Sequence, residues 1–233
     1  MNSINKTARM AGFHYFMYFV TSIIAERFGR FVFVDAPVTV NNIMAHESQF
    51  RIGFVISLFS IVFFLLAAWY LYVLLKPVNK NIALLFLLLN LGGFAIYCFS
   101  TLNLFASLLL LSGADYLKVF QPDQLQALAV LFVNLRKNAA ISAQIPYGIW
   151  LFPLGYLVFK SGFLPKILGI LLIVDCFGLL IAVFQYFLLP GYEVISYPCM
   201  AVSFIAEIGL TLWLLIMGVK EQKPTLADGQ KQK

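Results

Sequence analysis

The sequence predicts an all-α, polytopic membrane helix bundle of six transmembrane helices with both termini cytoplasmic. Three observations carry this. The 233 residues are 62% hydrophobic and only 11% charged, where soluble domains run near 25% charged. Six apolar stretches are each long enough to cross roughly 30 Å of hydrocarbon, which takes about 20 residues. The basic residues gather on alternate loops, as the orientation rule for membrane helices requires.

The first predicted span covers about 10–28. Lys6 and Arg9 precede it like the start of a signal peptide, but its far end, IIAERFGRF, offers no small-residue cleavage site. It therefore reads as a retained helix. The second and third spans cover about 52–75 and 82–111, the fourth 138–159, the fifth 165–189 and the sixth 195–218. Residues 1–219 make one membrane domain, and 220–233, KEQKPTLADGQKQK, a flexible basic cytoplasmic tail without apolar periodicity.

With the N-terminus inside, the inner segments carry Lys6, Arg9, Lys76, Lys80, Lys160, Lys166, Lys220, Lys223, Lys231 and Lys233; the outer ones carry Arg27, Arg30, Arg51, Lys118, Arg136 and Lys137. This bias favours cytoplasmic termini, and Arg27 and Arg30 oppose it. It also explains the net charge of +6 by membrane topology. The spread of cations over loops lacks the clustering that nucleic acid binding needs, so the expected partners are the lipid bilayer and a homodimer or membrane protein partner.

Two loops have structure of their own. Pro122–Asn138 opens like a helix and repeats Leu125, Leu128, Phe132 and Leu135 on one stripe. It is either an interfacial helix or an extension of the fourth span. Pro146 and Pro153, seven apart, should kink that span. The loop 35–51 holds His46, which has no second ligand-type cluster beside it. Cys98, Cys176 and Cys199 form no CxxC pair, and thiols inside spans act as small hydrophobes.

Three segments, NKTARMAGFHYFMYFVTSIIA, LFPLGYLVFKSGFLPKILGILLIVDCFG and AEIGLTLWLLIMGVK, resemble a bacterial family of small multi-pass membrane proteins known as domain of unknown function 4386. The resemblance implies a bacterial inner-membrane protein of this size. It brings no activity, cofactor or catalytic residue with it.

Enzyme chemistry inside the membrane is disfavoured by what it needs. Rhomboid-type proteolysis needs a histidine on a late span, but His14 and His46 both precede the second. No HExxH pair exists for zinc and no Gly-rich loop for phosphate. We therefore expect no metal and no cofactor.

The polar residues within spans remain. Asp175 lies roughly 14 Å along its helix from Lys166, and Glu207 roughly 20 Å from Lys220, both near mid-membrane. Glu207 has Ser203 and Thr211 one turn to either side, and Asn90 shares a face with Gly93, Tyr97 and Thr101. An ionised acid at this depth costs about 2.5 to 3.5 kcal/mol on insertion scales, and no Lys or Arg lies deep enough to pair with it. One acid of the pair is then expected to hold a proton at neutral pH, with the two sharing it or coordinating a small cation. The alternative is that each neutral acid hydrogen-bonds a neighbour and holds helices together, at about 1 kcal/mol. His14, one turn into the first span, is a further proton-handling candidate.

Three functions follow: a small carrier or channel-like protein with an acidic mid-membrane site, a non-catalytic membrane partner, sensor or assembly factor, or an enzyme on a membrane-soluble substrate.

Overall fold

A computed structural model describes residues 3–29 and 36–219. The basic tail at 220–233 and part of the 35–51 loop lie outside the described residues. Seven helices follow in order: α1 Ser3–Gly29, α2 Ala36–Ala45, α3 Glu47–Leu75, α4 Lys80–Leu110, α5 Pro122–Lys160, α6 Lys166–Leu188 and α7 Ser196–Leu212. A π-helical turn, Trp213–Met217, continues α7.

Among the described residues five helices are long and apolar enough to cross a membrane: α3, α4, α5, α6 and the segment Glu193–Met217. The six expected spans become five by this measure. α1 has the length, at 27 residues, but His14, Tyr15, Tyr18, Thr21 and Ser22 dilute its hydropathy. It nevertheless runs along the bundle. His14 stacks on Tyr70 with ring centroids 5.0 Å apart, Ser22 meets Ser60 and Phe28 meets Gly53, so α1 lies antiparallel to α3 along much of both helices.

Local chemistry sets the helix ends. Asn79 caps α4 by accepting from the backbone N–H groups of Asn81 and Ile82, each at 3.1 Å. α5 starts with a reciprocal cap between Gln121 and Gln124 around Pro122. It then runs unbroken for 39 residues through Pro146 and Pro153, so Pro122–Asn138 extends the fourth span and is no separate interfacial helix. At the α5–α6 turn Gly162 takes φ +73°, a left-handed conformation that glycine adopts at little cost.

The helices form a ring. α1 packs on α3, α3 on α4, α4 on α5, α5 on α6, α6 on α7, and α7 with its π turn returns to α1. The α5–α6 seam is a close crossing, because Gly155 and Gly169 let the two backbones meet; a Cβ built at either would lie 2.6 Å from the other's carbonyl oxygen. The main core, including Phe64, Leu71, Trp150, Leu151, Leu154 and Leu210, fills the ring toward the Lys76–Lys80 and Lys160–Lys166 turns. A smaller cluster of Ile43, Phe50, Leu104, Leu108 and Val133 closes the opposite end. Phe59, Phe99, Phe177, Phe184 and Phe204, each more than half exposed, coat the outside, as lipid contact demands and water would penalise.

Candidate functional site

Asp175 sits midway along α6 and is fully buried. It faces α7 because Gly178, one turn on, lets Cys199 approach to 3.4 Å of where a Cβ would stand. That brings Ser203 against Asp175, with its hydroxyl hydrogen-bonded to Oδ1. Ser203 Oγ also lies 3.1 Å from the Cys199 carbonyl. One hydroxyl proton shared between two acceptors bonds each of them more weakly than a proton given to one. A neutral Asp175 satisfies both contacts, donating to Ser203 while Ser203 donates to the carbonyl. The second carboxyl oxygen, Oδ2, is buried without a partner among the described residues.

Glu207 lies one turn further along α7. Its partner comes from the helix that closes the ring, where Tyr15 of α1 donates its hydroxyl to Oε2. Tyr15 is fully buried and fixed by stacking on Phe19, with centroids 5.3 Å apart, and by Phe64 at 5.4 Å. Asp175 and Glu207 share no hydrogen bond among the described residues. Neither has a cationic partner among the described residues.

The other sequence candidates divide. Ser203 belongs to the site, although it serves Asp175 and not its own helix neighbour Glu207. Thr211 is buried and gives its hydroxyl to the Glu207 backbone carbonyl at 2.8 Å, so it does not touch a carboxylate. Asn90 is fully buried, and neither its amide nitrogen nor its oxygen has a partner among the described residues. His14 Nδ1 lies 2.7 Å from the Met10 carbonyl, which only a protonated Nδ1 can satisfy, and its ring stacks on Tyr70 of α3. It therefore stands apart from the acids.

Tyr15 escaped sequence reasoning although it adjoins His14. A step of one residue turns about 100° around a helix, so the two rings face different neighbours. A phenol in an aromatic-rich span carries no signal of its own, and only the position of α7 reveals its role.

A cavity of about 420 Å³ opens at the end of the ring opposite the lysine turns. Glu26, Arg27 and Arg136 stand at its mouth, and Tyr97 and Gln144 on its walls. Tyr97 thus joins the site through this cavity. Ser22, Ser57 and Ser60 line the α1–α3 side, and Tyr18 also lines the cavity. The Tyr18 ring lies 6.1 Å from the Tyr15 ring, so two phenol rings connect the cavity to Glu207. Six of its lining residues come from α1, and α3, α4 and α5 add one or two each, so the cavity exists only where α1 meets the other three helices.

These features define a class: an all-helical, multi-pass membrane protein with an acidic pair, Asp175 buried and Glu207 half-buried, beside a polar cavity. The chain belongs to the family described as Domain of unknown function (DUF4386), whose model matches residues 10–218. It is also similar to an uncharacterized protein of Archaeoglobus fulgidus, 29% identical over 150 residues that cover 64% of this chain and 74% of the relative. No solved structure matches.

Proposed function

We propose that this chain is a six-span protein of a bacterial inner membrane, both termini cytoplasmic, acting as a small carrier or channel-like protein around a protonatable site at Asp175 and Glu207. The observation that carries the reading is the pairing of each acid with a hydroxyl from a different helix, Asp175 with Ser203 and Glu207 with Tyr15. A carboxyl without a counter-charge at this depth is costly when ionised, and hydroxyl partners serve both its neutral and its charged form. The cavity beyond Tyr18 supplies the route by which water and protons approach. A ring of six helices is small for a carrier, and a homodimer or a membrane protein partner completes this reading.

The test is proton flux in proteoliposomes with an entrapped pH dye. Wild-type protein should dissipate an imposed pH gradient, and Asp175→Asn or Glu207→Gln should slow this at least about tenfold, the scale on which a proton-handling group contributes. Wild-type vesicles no leakier than empty ones would defeat the proposal. The second reading, a non-catalytic partner, sensor or assembly factor, is favoured by the packed half of the ring, where Leu71, Leu75, Leu154 and Leu157 are fully buried. It predicts no flux from any variant.

A further inference from the structure

We propose that Asn90 of α4 and Tyr147 of α5 bind ordered water inside the ring, and that this water carries the polar path of the cavity inward toward the depth of Asp175. What the water does rests on the proton reading; that it is there follows from the packing.

Asn90 is fully buried, and its amide nitrogen and carbonyl oxygen both lack a hydrogen-bond partner among the described residues. The Tyr147 hydroxyl is in the same position. A carboxamide offers two donors and two acceptor sites, and a phenol one donor; leaving such groups buried and unbonded is costly. Lipid does not answer them, since Asn90 has no exposed surface and hydrocarbon has no hydrogen bonds to give. A carboxamide that glued α4 to a neighbouring helix would be bonded to it, and this one is not. Water fits, because buried water sits where otherwise unsatisfied polar groups of the protein converge.

The packing brings them together. Asn90 shares a face of α4 with Phe86, Gly93 and Tyr97. The Phe86 ring meets Trp150 with centroids 6.0 Å apart, and the Tyr147 ring lies against Gly93, where a Cβ would stand 2.5 Å from Cε1. Asn90 therefore faces the Tyr147–Trp150 turn of α5, and the missing side chain at Gly93 lets the phenol settle one turn from the carboxamide. Toward the outside, Tyr97 and Tyr18 line the cavity. Phe64 touches Tyr18 at 4.5 Å and Tyr147 at 5.1 Å between centroids, so one ring separates Tyr147 from the cavity wall. Toward the inside, Phe177 meets Phe152 and Ile173 meets Gly155, which sets Asp175 opposite residues 152–155 of α5. Asn90 and Asp175 thus differ in depth by roughly 7 Å at about 1.5 Å per residue. Asp175 Oδ2 is a third buried oxygen without a partner among the described residues.

X-ray radiolysis tests this, since hydroxyl radicals made from ordered water modify side chains that bulk solvent does not reach. Phe50, a buried ring of the smaller cluster at 4% exposure, is the dry reference for Tyr147 at 7%. Tyr147 should be modified at least about fivefold faster than Phe50 if water is held beside it. Asn90→Leu keeps the size and removes both polar atoms, so it should bring Tyr147 to within about twofold of Phe50. Asn90→Ser keeps a hydroxyl and should retain most of the labelling. Phe50 labelling unchanged from wild type shows that each variant is folded. Tyr147 no faster than Phe50 in wild-type protein, labelling undiminished in Asn90→Leu, or an Asn90→Ser protein as dry as Asn90→Leu would each overturn the proposal. Proton flux is a separate readout. Labelled Tyr147 in a protein that conducts no protons retains the water and loses the carrier, and flux with Tyr147 as slow as Phe50 does the reverse.

Discussion

Tyr15 and Glu207 show what a single residue decides here. The Tyr15 hydroxyl is the hydrogen-bond partner of Glu207 Oε2, so Tyr15→Phe leaves a polar atom unpaired in an apolar setting, at about 1 to 3 kcal/mol. Glu207→Gln retains an acceptor and should cost less alone. Combining the two should recover at least about 0.5 kcal/mol of the summed losses, as contacting residues do. Thermal unfolding of the four proteins in one detergent gives the cycle, and strict additivity would mean that the two side chains are not coupled. Asp175, Glu207 and Ser203 were legible in the sequence because polar atoms are conspicuous in oil. Tyr15 was not, and neither was the division of labour that gives Ser203 to Asp175 and withholds Thr211, because helix periodicity reports a face and not the neighbour it meets.

At the scale of elements, small residues set how closely helices approach. Gly155→Ala and Gly169→Ala each place a methyl 2.6 Å from a backbone carbonyl oxygen of the facing helix. Neither backbone can yield without separating α5 from α6, and that seam positions Asp175. Each substitution should cost about 1 to 3 kcal/mol. Gly92→Ala is the control, since its added Cβ would meet only Pro146 at 4.0 Å, and gain in helix propensity should leave it neutral or stabilised by up to about 1 kcal/mol. Thermal shift ranks the three, and a Gly155→Ala protein as stable as Gly92→Ala would show that the crossing is looser than described. Helix boundaries were largely legible from hydropathy, with α3, α4 and α6 starting and ending within about five residues of expectation. The outer run of α5 was ambiguous for a physical reason: an amphipathic stripe looks the same on an interfacial helix and on the protruding end of a span, and only its packing against α2 and α4 separates them.

For the whole molecule the decisive question is whether α1 crosses the membrane. Its hydropathy alone falls short, yet it spans the ring beside α3, meets the π turn through Gly12, where a Cβ would lie 2.5 Å from the Leu215 nitrogen, and brings Asn5 to accept from the Val219 N–H at 2.9 Å. A helix whose polar groups are turned onto other helices does not need the apolar content of one bathed in lipid. Ile4 and Val119 should then lie on opposite sides of the membrane. In cells expressing single-cysteine protein, a membrane-impermeant maleimide should label Val119→Cys directly and Ile4→Cys only after permeabilisation. Labelling of both in intact cells would place the start of α1 outside, leave five crossings, and move Tyr15, and with it the closure of the acidic pair, out of the bilayer interior.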